Sequence, residues 1–160
     1  VLEWADILTA EGELRRLSHD ELGFAYRHSA LPEGSVVIRA SLRGTPDNAE
    51  AIRSRIADIR ASREASQPVR ARTGGSTFRN PDGHKAWQLI DEAGCRGLQI
   101  GDAQVSEKHC NFLLNLGQAS STDLETLGET VREKVLAQSG VDLHWEIKRI
   151  GRQSEGEQTV

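Results

Sequence analysis

At 160 residues the chain can hold one ordinary domain, or one small domain and part of another. A hydrophobic share of 37%, a charged share of 28% and a formal charge of -4 describe a globular chain and argue against a nucleic-acid partner. No apolar run approaches the ~20 residues of a membrane helix. The chain opens at Val1 and contains no Met, which reads as a piece of a longer protein. Its two cysteines, Cys95 and Cys110, suit a reducing cytoplasm rather than a disulfide framework. They lack paired C-x-x-C spacing, so no metal site is expected even with His109 nearby.

In chain order, residues 1–8 and 13–17 predict two strands around a turn at Glu11-Gly12. Ser18 followed three residues later by Glu21 predicts a capped helical turn. Residues 35–42 are β-branched and read as a third strand. Strands this short bury too little to close a core of their own, so they look like the end of a larger sheet. Thr45 as N-cap and Pro46 as first helical residue predict a helix to about Ala65, with Ile52, Ile56 and Ile59 at helical spacing. Arg53, Arg55, Arg60, Arg63, Arg70 and Arg72 gather on it and just after it, as on a solvated helix face or, less commonly, a rim attracting a diphosphate.

Thr73-Gly74-Gly75-Ser76-Thr77-Phe78-Arg79-Asn80-Pro81 is the stretch the rest is arranged around. Its glycines allow a tight turn and close approach to a ligand, and they present a hydroxyl beside them. Taken by composition it is a loop, which Asn80-Pro81 ends. A helix over 84–93 follows, with Ala86, Leu89, Ile90 and Ala93 inward and Gly94 as its stop. Residues 98–100 and 111–114 read as short strands. Thr122-Asp123-Leu124-Glu125 reads as a capping box opening a helix with Leu124, Leu127, Val131 and Val135 on one face, ending at Ser139-Gly140. Residues 141–148 alternate, placing Val141, Leu143, Trp145 and Ile147 on one face of a last strand and Asp142, His144, Glu146 and Lys148 on the other. Residues 151–160 form a polar tail.

Residues 72–81, 88–94, 97–101 and 105–109 (Val105-Ser106-Glu107-Lys108-His109) together resemble the UDP-N-acetylenolpyruvoylglucosamine reductase family, over nearly the whole chain. The resemblance implies an α+β fold: a substrate-binding domain at 45–150, a small mixed sheet packed by about three helices, preceded at 1–44 by strands from the end of an FAD-binding α+β domain. It implies NADPH-dependent, flavin-mediated reduction of UDP-N-acetylglucosamine enolpyruvate to UDP-N-acetylmuramate, a peptidoglycan precursor, by a cytoplasmic monomer. The glycine-rich segments that hold FAD in the family have no counterpart here. The chain alone is therefore expected to bind no flavin and to be inactive.

By the same resemblance, Arg27, in a Tyr-Arg-x-Ser segment of Tyr26, Arg27 and Ser29, is the arginine beside the developing enolate. Ser76 is the proton donor and Glu146 the catalytic glutamate. Asn80 contacts substrate, as does Tyr26, and Arg79 and Lys85 are candidate diphosphate contacts. His109 either orders its loop or touches ligand. Read without the resemblance, each has a plain structural role: a serine satisfying its own turn, a glutamate on the wet side of a sheet, a surface Tyr-Arg pair. The competing class is a non-catalytic nucleotide-sugar-binding or interaction module that kept the fold without the flavin.

Overall fold

The computed structural model describes residues 1–151, so the expected tail beyond Gly151 lies outside the described residues. The chain divides into two units, Val1–Ser54 and Arg55–Val160.

The first unit is a three-stranded antiparallel sheet in the order β2-β1-β3, made of β1 (Leu2–Leu8), β2 (Leu14–Ser18) and β3 (Val36–Leu42). Alternation along β1 sends Ala5 and Ile7 to one face, where they meet Leu17 and Leu22 in a small core. Trp4 and Asp6 point to the other. Asp6 pairs in register with Arg16 on one neighbour and Arg39 on the other. Its two oxygens accept from Arg16 Nε at 2.7 Å and Nη2 at 3.1 Å, and from Arg39 Nε at 2.6 Å. The Arg16 guanidinium also lies 3.6 Å from the centre of the Trp4 ring. One carboxylate thus ties three strands together. Ser18 and Glu21 bond reciprocally as expected, Ser18 N to Glu21 Oε2 at 2.8 Å and Glu21 N to Ser18 Oγ at 3.3 Å, but they close a turn rather than a helix.

α1 (Ala49–Ser66) departs from expectation twice. Asn48 caps it, its Oδ1 accepting from Glu50 N and Ala51 N, so Thr45 and Pro46 stand outside. It also buries no residue: Ile52, Ile56 and Ile59 are 37%, 46% and 61% exposed. Helical spacing specified the helix without specifying a partner for its apolar face.

The second unit carries a four-stranded sheet in the order β4-β7-β6-β5: β4 (Thr73–Ser76), β5 (Gln99–Ile100), β6 (Ala103–Val105) and β7 (Phe112–Asn115). Every named pair is antiparallel, so the α+β reading holds with an antiparallel rather than a mixed sheet. α2 (Ala86–Glu92) and α3 (Ser121–Ser139) supply Ala86, Leu89, Ile90, Leu127, Val131 and Val135 to its core, with Cys95 and Cys110 as buried free thiols. Ser120, two residues before the predicted cap, opens α3: Asp123 N donates to Ser120 Oγ and Ser120 N to Asp123 Oδ2. Gly140 ends it at a φ of 72°.

Three further readings change. The glycine-rich stretch begins as strand β4, because a bulge with Gly75 at φ 92° lets it pair with β7. β6 went unread, being only three residues long. Residues 141–148 keep their alternation without being a strand: Val141, Leu143, Trp145 and Ile147 turn inward while Asp142, His144 and Lys148 are exposed, yet only the bridge between Phe78 and Trp145 forms. Among the described residues no helix is long and apolar enough to cross a membrane.

The Arg16 and Arg39 bonds pull the Asp6 carboxyl down to about 2. A carboxylate lowered on folding stabilises the fold above its unfolded value near 3.8, and that contribution is lost as pH falls through about 2. A carboxyl resonance titration should place the Asp6 midpoint near 2, and D6N should flatten stability against pH between these values. A midpoint at the ordinary carboxylate value would contradict the two-arginine clasp.

Candidate active site

The site is built outward from Thr77, which is wholly buried just after Ser76. Its N–H donates to Asn111 O at 2.8 Å, its carbonyl accepts from Glu146 N at 2.8 Å, and its Oγ1 accepts from Leu113 N at 3.3 Å. Every polar group of this residue is used, as a buried backbone requires. Phe78, next along, is equally buried. It is bonded at both backbone atoms by one side chain, that of Asn111, whose Oδ1 accepts from Phe78 N at 2.9 Å and whose Nδ2 donates to Phe78 O at 2.8 Å. Arg79 N then donates to His144 O at 2.9 Å. Ser76 and Glu146 are thereby brought onto adjacent segments, one residue apart through Thr77.

Ser76 is half-buried, and among the described residues its hydroxyl makes no hydrogen bond. The turn beside it is served by Thr73 instead, whose Oγ1 accepts from Gly75 N at 3.3 Å. Glu146 departs from the other polar residues of its segment: it is half-buried where Asp142, His144 and Lys148 are exposed. α3 holds that segment from behind. Arg132 Nε donates to Leu143 O at 2.7 Å, and its two other nitrogens reach Glu129 and Asp142. Trp145 Nε1 donates to Glu129 Oε1 at 2.8 Å, and its indole lies flush on Gly128, where a Cβ would stand 2.1 Å from Cη2.

The remaining expected residues divide between structural and exposed settings. Asn80 Oδ1 accepts from Ala86 N at 3.0 Å and so caps α2, leaving its amide nitrogen for other contacts. Arg79 and Lys85 are exposed. His109 orders its loop: Nδ1 accepts from Asn111 N at 3.3 Å, the ring packs between Trp87 and Phe112, and burial pushes its pKa down. In the first unit, Tyr26 and Arg27 occupy the tip of a turn closed by mutual backbone bonds of Ala25 and His28. Arg27 has a φ of 54°, the one positive value outside glycine among the described residues, and its Nε lies 3.2 Å from Tyr26 Oη. Such strain persists only where surroundings or function demand it. Asn111, Arg132 and Gly128 were not singled out from the sequence. An Asn inside the apolar run Cys110-Asn111-Phe112-Leu113 was the available signal, since a buried amide must find partners.

The sequence pattern of the UDP-N-acetylenolpyruvoylglucosamine reductase C-terminal domain matches residues 67–150. The chain belongs to this family. It is 97% identical over its whole length to the UDP-N-acetylenolpyruvoylglucosamine reductase of Gluconobacter oxydans, covering 52% of that protein. It is 62% identical over 98% of its length to the reductase of that name from Acidiphilium cryptum, covering 50% of it. Among solved structures, the UDP-N-acetylenolpyruvylglucosamine reductase of Thermus caldophilus superposes with a TM-score of 0.75 at 36% identity, over 91% of this chain and 52% of that one. The chain spans about half the length of the curated relatives it matches.

The family's expected FAD needs open backbone N–H groups for its pyrophosphate. Among the described residues each helix start already has an acceptor of its own: Asn48 for α1, Asn80 for α2 and Ser120 for α3. These three helix starts do not fit a flavin pyrophosphate. Mixed with FAD and freed of excess, the chain is expected to show no flavin band in its visible spectrum; a stoichiometric band would contradict this.

The second expectation concerns the α3 support. G128A drives a methyl into the Trp145 indole and should cost about 1–3 kcal/mol or more in denaturant unfolding, with W145F in the same chain recovering part of it. Unchanged stability of G128A would show that Trp145 does not pin the segment carrying Glu146.

Proposed function

We propose that this chain supplies the substrate-binding part of an NADPH-dependent flavoprotein that reduces UDP-N-acetylglucosamine enolpyruvate to UDP-N-acetylmuramate. The observation that carries this reading is the unspent hydroxyl of Ser76 beside a residue, Thr77, whose every polar group is committed. A serine kept only to satisfy its turn would bond within that turn, and here Thr73 does so. The family relationship supports the reaction class.

Saturating an enolpyruvyl double bond takes a hydride at the terminal carbon and a proton at the carbon bearing the ether oxygen. The family's reduced flavin supplies the hydride, and this chain's part concerns the charge and the proton. Arg27 lowers the energy of the enolate, since a guanidinium acts most strongly where water is scarce. Ser76 delivers the proton, and its alkoxide recovers one from solvent. Serine is a weak acid, so its contribution depends on being held in place, which the Thr77 and Phe78 bonds provide. Glu146, carried by the segment bonded to Thr77, hydrogen-bonds the enol or orients the substrate carboxylate. Asn80 with its free amide nitrogen, Tyr26, and the exposed Arg79 and Lys85 are the proposed substrate contacts, the last two for the diphosphate. The protein works as a cytoplasmic monomer in this reading.

In a full-length reductase carrying this segment, S76A should leave reduction of flavin by NADPH nearly intact while slowing its reoxidation by the enolpyruvyl substrate about 10²- to 10⁴-fold. Stopped-flow absorbance separates the two. S76C should recover part of the loss, a thiol being the stronger acid. Reoxidation of S76A at the parental rate would return Ser76 to the role of a turn residue.

A further inference from the structure

We infer that Asn111 is the positioning residue for Ser76. This rests on the reading of Ser76 as proton donor and adds to it the group that makes a weak acid usable. All four kinds of polar atom in Asn111 are engaged. Its N–H donates to His109 Nδ1 at 3.3 Å, its O accepts from Thr77 N at 2.8 Å, and its carboxamide bonds Phe78 N and O at 2.9 and 2.8 Å. Three of those bonds fall on the two residues that follow Ser76. Asn111 is itself only 5% exposed, and no ligand group is needed to complete its bonding.

The geometry explains why an asparagine stands there. β4 ends at Ser76, paired with Phe112, and beyond it the chain turns away from β7 toward residues 144–146. The fully buried Phe78 would then lack a ladder partner on the β7 side. A carboxamide presents one acceptor and one donor at the spacing of a peptide group, so the Asn111 side chain stands in for the missing strand. Aspartate, of the same size, keeps the acceptor but sets an oxygen against Phe78 O in place of a donor. Serine is too short to reach both atoms. His109 holds the Asn111 N–H, which completes a relay from the half-buried imidazole to the backbone beside Ser76.

The prediction is a coupling. In a full-length reductase carrying this segment, N111D should slow the substrate-driven half-reaction by about 10²-fold, the scale of a misplacement near 1 Å at a reacting group. Flavin reduction by NADPH and the KM for substrate should stay near parental. Introduced into S76A, N111D should slow the same step hardly further, because the group it positions is already gone. N111S, neutral and smaller, carries the same prediction where N111D fails to fold, with thermal unfolding measured on each variant.

The outcomes separate two failures. If S76A slows the step and N111D adds its full factor on top, Asn111 acts by general destabilisation and the inference is overturned while the Ser76 reading stands. If S76A has no effect, both fall together. Parental reoxidation in both N111D and N111S overturns the inference alone.

Discussion

A buried backbone with nowhere to place its hydrogen bonds is the constraint on which the second unit depends. Thr77 and Phe78 lie at the centre of the core, and a peptide group stranded there costs about 1–3 kcal/mol per missing bond. Two sources of partners meet at this point. Asn111 and Leu113 of the β7 side serve one flank, and Glu146 of the final segment serves Thr77 on the other, with His144 accepting from Arg79 just beyond. The ladder alone supplies too few, so side chains, Asn111 and Thr77 themselves, make up the difference.

The same need shapes the final segment. Residues 141–148 alternate as a strand does, yet they form one bridge and no ladder. What substitutes is α3. Arg132 bonds the Leu143 carbonyl, Glu129 and Asp142 together, and Trp145 settles on the bare backbone of Gly128 with its N–H on Glu129. The Phe78 and Trp145 rings, 5.1 Å apart, close the interface between the two irregular segments. Glu146 is thus carried by a piece of chain fixed at Leu143 and Trp145 from behind and at its own N–H from in front.

How much of this was legible follows from what kind of signal each element leaves. α2 and α3 were readable because Leu89, Ile90, Leu127, Val131 and Val135 recur at helical spacing and Gly94 and Gly140 stop them. α1 was readable as a helix for the same reason, but spacing says nothing about whether Ile56 and Ile59 find a partner, and here they stay exposed. β4 was hidden by Gly74 and Gly75, which mark loops far more often than bulged strands. The inward set of 141–148 was correct because period-two alternation needs only an extended backbone, while the ladder it usually implies is a tertiary matter. Asn111 left one faint mark, a polar residue in an apolar run. Three of its four bonds connect residues more than thirty apart in sequence, and no local pattern encodes them.

Accounting for polar atoms also sorts the candidate residues, which sequence resemblance alone does not. Thr73, Thr77, Asn111 and His109 each have side-chain atoms committed to neighbouring backbone, and Asn80 commits its carbonyl to α2. Those bonds would have to break for the same atoms to meet a ligand. Ser76 sits among them half-buried, with its hydroxyl uncommitted. In the first unit Arg27 shows the complementary sign, a backbone held at a φ of 54° to display a guanidinium beside Tyr26. Unspent hydroxyl and strained arginine are different physical signals. Only the second is a backbone signal, since a φ of 54° is uncommon for a residue that carries a Cβ.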